Sequence, residues 1–187
     1  MPRTNRDEVL PPDENCYAHC YNKCVQGAYL CGKCSETGKD YSHRKQWIVD
    51  RLEQLASIYL IDILAFSVLD NHLHVVLHTL PDEVDKQSDR DIAVRWLSLH
   101  PGRQQDEFVS VDPTEAQIQQ LLADPERLAR IRKNLSSASS FMKDLCEPIS
   151  KRANKEDGRS GHFWQDRFKA SGCLILSRYW FALPTLT

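Results

Sequence analysis

Ile61-Asp62-Ile63-Leu64-Ala65-Phe66-Ser67-Val68-Leu69, then Asp70-Asn71, then His72-Leu73-His74-Val75-Val76-Leu77-His78-Thr79-Leu80: this stretch decides the fold. Two apolar runs of strand length flank a corner of the kind Asp and Asn suit. The expected structure is an antiparallel hairpin with strands over 61–69 and 72–80, ended by Pro81 and Asp82. Side chains alternate faces along a strand, so His72 and His74 project the same way while Leu73 turns into the core. Two imidazoles on one face, two residues apart, can share one divalent cation. His78 falls on that face too, one step further along, and is expected as a neighbour, not a ligand.

Working outward, residues 16–26 alternate weakly and read as a first strand. Residues 31–40 form a loop containing Gly and Lys. Ser42 is the expected cap of a helix carrying Trp47, Ile48, Leu52, Leu55 and Ile58 at three- and four-residue spacing. On that helix Arg44, Lys45 and Arg51 read as a solvated face. Ser88-Asp89-Arg90-Asp91 opens a second helix through Leu97, which His100-Pro101-Gly102 breaks. A third helical zone runs from Pro113 through Leu122 and a fourth from Pro125 through Leu145, with prolines suited to a first turn. Residues 151–161 read as a charged loop and His162–Lys169 as a last strand or an extended, cationic and aromatic segment. The order implies an α+β fold: a ferredoxin-like antiparallel sheet with helices on one face and a helical insertion over about 82–158. The expected organisation is a flexible segment over 1–14, a domain over 15–170 and a divergent tail over 171–187.

The chain has 187 residues, 41% hydrophobic and 27% charged, enough for one domain with a sizeable core. Its net charge of −2 counts mildly against a nucleic-acid partner, although the C-terminal third is locally basic. No stretch approaches a membrane span, and the first eight residues lack an apolar signal region, so a cytoplasmic location without a membrane partner is expected. The seven cysteines are then expected to be mostly reduced. Cys31-Gly32-Lys33-Cys34 has the spacing of half a zinc site, with Cys20 and Cys24 as the available second pair. The favoured reading is buried small hydrophobes plus a loop thiol.

Several chemistries use a strand His-x-His. Metallo-β-lactamase-like hydrolases need a following Asp-His, which is absent. Nucleotide hydrolases of the histidine-triad type need a third histidine where Val76 stands. Nucleases in which two histidines hold Mg²⁺ or Mn²⁺ beside a scissile phosphate remain.

Five blocks in order carry a resemblance: Asn22-Lys23-Cys24-Val25 with Ala28-Tyr29-Leu30-Cys31-Gly32; the helix His43–Leu52; the hairpin Ala65–Leu77 with Asn71-His72-Leu73-His74; Ala93-Val94-Arg95-Trp96-Leu97; and Gly161-His162-Phe163-Trp164-Gln165-Asp166-Arg167-Phe168-Lys169. Together they span about residues 16–170. On these blocks the chain resembles the single-tyrosine HUH transposases associated with repetitive extragenic palindromes. The Asn-His-x-His hairpin and the Phe-Trp-x-x-Arg-Phe block are its specific parts.

The resemblance implies the HUH endonuclease fold, a homodimer, and transesterification of single-stranded or hairpin DNA. His72 and His74 would hold Mg²⁺ or Mn²⁺, and a tyrosine on a late helix would attack phosphorus. Asn71, Trp164, Arg167 and Lys169 are the candidate DNA contacts. The tail departs from the family pattern after about Ala170, with no Tyr-x-x-x-Asn-Pro. Tyr179, its only tyrosine, is the candidate nucleophile, several residues early. The other expectation is a truncated or frameshifted, inactive copy. Alternative functions are a non-catalytic repeat-DNA-binding protein on the same fold and a metal-dependent nucleotide phosphohydrolase.

Overall fold

The computed structural model describes residues 10–11, 13–100 and 112–172. Four strands build one sheet: β1 (Cys16–Lys23), β2 (Ile61–Val68), β3 (His72–Thr79) and β4 (Lys169–Gly172). Their spatial order is β2-β3-β1-β4, and every neighbouring pair is antiparallel. Helix α1 (Arg44–Ile58) connects β1 to β2. Among the described residues five more lie between β3 and β4: α2 (Pro81–Asp85), α3 (Asp89–Leu99), α4 (Glu115–Leu122), α5 (Pro125–Leu135) and α6 (Ala138–Glu156). The class is α+β, and this order is compatible with a ferredoxin-like, split β-α-β arrangement.

The hairpin forms where its alternation places it. Leu73, Val75 and Leu77 are fully buried, and His72, His74, Val76 and His78 occupy the other face. The buried residues join Ala18 and Cys20 of β1, Ile48 and Leu55 of α1, and Phe141, Leu145 and Ile149 of α6 in one core. Burial of each large aliphatic side chain stabilises the fold by about 1.5–3 kcal/mol. Edge strand β2 has a register shift between Ile63 and Ala65, and Leu64 and Phe66 are exposed there.

Several elements differ from the sequence expectation. Ser42 does not cap α1: a turn precedes the helix, Arg44 N–H donating to the Tyr41 carbonyl, and His43 holds the cap position without a side-chain bond. Thr114, rather than Pro113, starts α4 with a capping box to Gln117. The expected helix 125–145 is two helices. The chain breaks at Ser136–Ser137, and the Ser137 hydroxyl accepts from Ser140 N–H to start α6. Helix α6 carries Pro148 internally and continues to Glu156, through half of the segment expected to be loop. Residues 162–168 are irregular apart from a bridge between Cys24 and Trp164, and the last strand comes later, at Lys169–Gly172.

Two cations on α1 are buried, not solvated. Arg44 is 0% exposed: its guanidinium donates to the Tyr29 carbonyl, Glu156 Oε2 (2.8 Å) and Asp157 Oδ1 (2.6 Å). Arg51 donates from Nε to the Asp144 carbonyl at 2.8 Å. Planar guanidinium groups fill such sites because their five donors can all be used at once. Asp144 also accepts from the Tyr59 hydroxyl at 2.7 Å. Leu10, within the segment expected to be flexible, packs into the core. No helix among the described residues is long and apolar enough to cross a membrane.

Candidate metal and nucleic-acid site

The open face of the sheet centres on β1 and β3. Alternation puts Tyr17, His19, Tyr21 and Lys23 of β1 on the same face as His72, His74 and His78 of β3. The antiparallel register then sets Lys23 opposite His72, Tyr21 opposite His74 and Tyr17 opposite His78. His72 and His74 share a face, with ring centroids 6.1 Å apart and planes inclined by 25°. His78 lies at the far end, stacked on Tyr17 at 4.1 Å and 3.3 Å from Asp62.

Each histidine of the pair has its Nδ1 occupied. The Asn71 Oδ1 lies 2.6 Å from His72 Nδ1, and His19 Nε2 lies 2.9 Å from His74 Nδ1. An amide oxygen only accepts, so His72 Nδ1 is the donor in this contact, and in the neutral ring the lone pair then lies on Nε2. Asn71 is itself held by its backbone, its carbonyl accepting from Cys24 N–H at 2.9 Å. Burial first, then the neighbouring His19 and His72, push the His74 pKa down, which favours the neutral, ligating form. The donor set therefore fits a divalent ion bound by two neutral imidazoles. Among the described residues no group of three or more His, Cys, Asp or Glu side chains is arranged to hold a metal.

Beside His72 opens a groove of ≈160 Å³ lined by Tyr21, Lys23, Gln165, Arg167 and Lys169, among others. Lys169 pairs with Tyr21 in the sheet, and its Nζ sits 5.8 Å from the Tyr21 ring centre. The Gln165 N–H bonds the Lys23 carbonyl at 2.8 Å, tying the segment 162–168 to the end of β1. Arg167 and Lys169, far from the histidines in sequence, thus arrive beside them. Lys23 and Gln165 also line an adjoining cavity of ≈850 Å³ with Asn71, Tyr29 and Tyr41. Trp164 is anchored inward: its Nε1 donates to the Cys146 carbonyl at 2.9 Å, and its ring meets Phe163 edge to face. It borders a separate cleft of ≈510 Å³ against α6, shared with Arg167 and Phe168.

Sequence reasoning missed His19, Tyr21 and Lys23. Their period-two spacing was a signal, but the register that brings His19 to His74 is not written in either strand alone. Of the cysteines, Cys20 and Cys24 are buried in the core, while Cys31 Sγ points to the Val68 carbonyl (3.6 Å). The candidate nucleophile Tyr179 lies outside the described residues. The chain matches no protein-family model, and no curated protein matches it significantly.

Proposed function

We propose that this chain is a transposase-like protein of the HUH type, acting on single-stranded or hairpin DNA by metal-assisted transesterification. The observation that carries the reading is the His72–His74 pair on the open sheet face, both Nδ1 atoms occupied, beside a groove holding Arg167 and Lys169. His72 and His74 would hold Mg²⁺ or Mn²⁺. Such an ion, when bound, supplies Lewis acidity at a phosphate. Lys23, Arg167 and Lys169 would neutralise the DNA backbone, and the half-buried Tyr21 ring at the groove offers a surface on which a base can stack. In the strand-transfer step a phenol oxygen bonds to phosphorus as the P–O3′ bond breaks, the phenol losing its proton and the 3′ oxygen gaining one. Tyr179 is the residue proposed for that attack. Exposed Leu64, Phe66 and Leu69 on and beside edge strand β2 support assembly as a homodimer.

Two experiments test this reading. Calorimetry with Mn²⁺ should show binding by the wild-type chain and none after His72→Ala with His74→Ala, the fold being retained. Incubation with a single-stranded hairpin and Mn²⁺ should give a covalent protein–DNA adduct that Tyr179→Phe abolishes. A second reading is DNA binding on the same fold without strand transfer. Tight hairpin binding with no adduct would favour it. Release of a mononucleotide or inorganic phosphate without an adduct would favour a phosphohydrolase and count against both.

A further inference from the structure

We infer that His19 is a positioning residue for the histidine pair: its Nε2 accepts the Nδ1 proton of His74, which leaves the Nε2 lone pair of His74 open to a cation. The inference rests on the metal reading above and extends it from the ligands to the group that orients one of them. His19 lies on β1, opposite Val76 and diagonal to His74. The two rings are nearly parallel, 11° apart in plane with centroids at 5.1 Å, and the nitrogens approach to 2.9 Å. At that separation two neutral imidazoles need one N–H and one lone pair between them.

His72 supplies the pattern. Its Nδ1 faces an oxygen that can only accept, so its proton position is fixed. With His19 as acceptor, His74 takes the same tautomer, and both histidines then present an unprotonated Nε2. Without an acceptor the His74 proton distributes over both nitrogens, and part of the population has no lone pair on Nε2. Metal-bound histidines commonly donate their other ring N–H to such a partner, and losing it costs about ten- to hundred-fold in metal affinity. His19 is assigned as partner and not as third ligand because the nitrogen it would offer is already turned onto His74.

The test has a readout that needs neither metal nor activity. Long-range ¹H–¹⁵N correlation on the metal-free protein at pH 8, with labelled histidine, should show His72 and His74 both protonated on Nδ1. In His19→Phe, which keeps a flat ring but removes the acceptor, His74 should become a tautomer mixture. His19→Gln, whose amide oxygen accepts, should retain the wild-type pattern. In calorimetry, Mn²⁺ affinity should fall about ten- to hundred-fold in His19→Phe and stay within a few-fold in His19→Gln. A wild-type His74 protonated on Nε2 overturns the inference. So does unchanged Mn²⁺ affinity in His19→Phe alongside a loss in His72→Ala, and in that case the metal reading stands. Absence of Mn²⁺ binding by the wild-type chain overturns both.

Discussion

Arg44 and Arg167 show how differently two guanidinium groups can serve one chain. Arg44 is wholly buried and holds Tyr29, Glu156 and Asp157 together. Removing one partner of a buried ionic cluster leaves the others uncompensated, so Arg44→Ala should destabilise the protein by about 3–5 kcal/mol, read from chemical denaturation. Arg167 borders the groove beside His72. Arg167→Ala should leave stability nearly unchanged while lowering the salt slope of single-strand binding by about one. The burial of Arg44 was not legible in the sequence. Arg44 looks like a surface cation, and the Glu156 carboxylate that it meets lies 112 residues away, whereas Arg167 is the exposed cation the sequence suggested. The His72–His74 pair was legible because alternation acts within one strand. His19 was not, because its role depends on a register between two.

At the scale of elements, the hairpin and α1 follow from local pattern, with period two in one and three-four in the other. The break between α5 and α6 was hidden. Apolar residues continue across it, Leu135 then Ala138 and Phe141, so the periodic signal barely changes phase where the chain turns. Two serines mark the place: Ser136 ends α5, and the Ser137 hydroxyl caps α6. Ser137→Ala should cost about 1 kcal/mol, measurable as a lowered melting temperature. Pro148 does not end helix α6, which accommodates it and runs on for two turns. Edge strand β2 carries its own expectation. If two copies meet there, Phe66→Lys should convert a dimer to a monomer in light scattering, and a monomeric wild-type chain would refute that seam.

For the whole molecule, the cluster around Arg44 ties the far end of α6 to the start of α1, so its ionisation reports on global stability. Burial alone would raise the Asp157 pKa, but hydrogen bonds from Arg44 and Lys39 outweigh it and the net shift is downward. A depressed folded pKa means stabilisation that is complete above the ordinary carboxylate value, about 4, and lost as pH falls through the folded value. Acid unfolding profiles should therefore steepen below about pH 4, and the Asp157→Asn variant should lose part of that dependence.

The pairing of β1 with β4 joins residues 18–21 to residues 169–172 across six helices among the described residues. During translation β1 must wait on the order of ten seconds for its second neighbour to leave the ribosome. Through that interval one flank of the nascent sheet has bare amides and carbonyls, open to capture by any extended segment that passes. Newly made chains should for this reason depend on chaperones more than their modest length suggests.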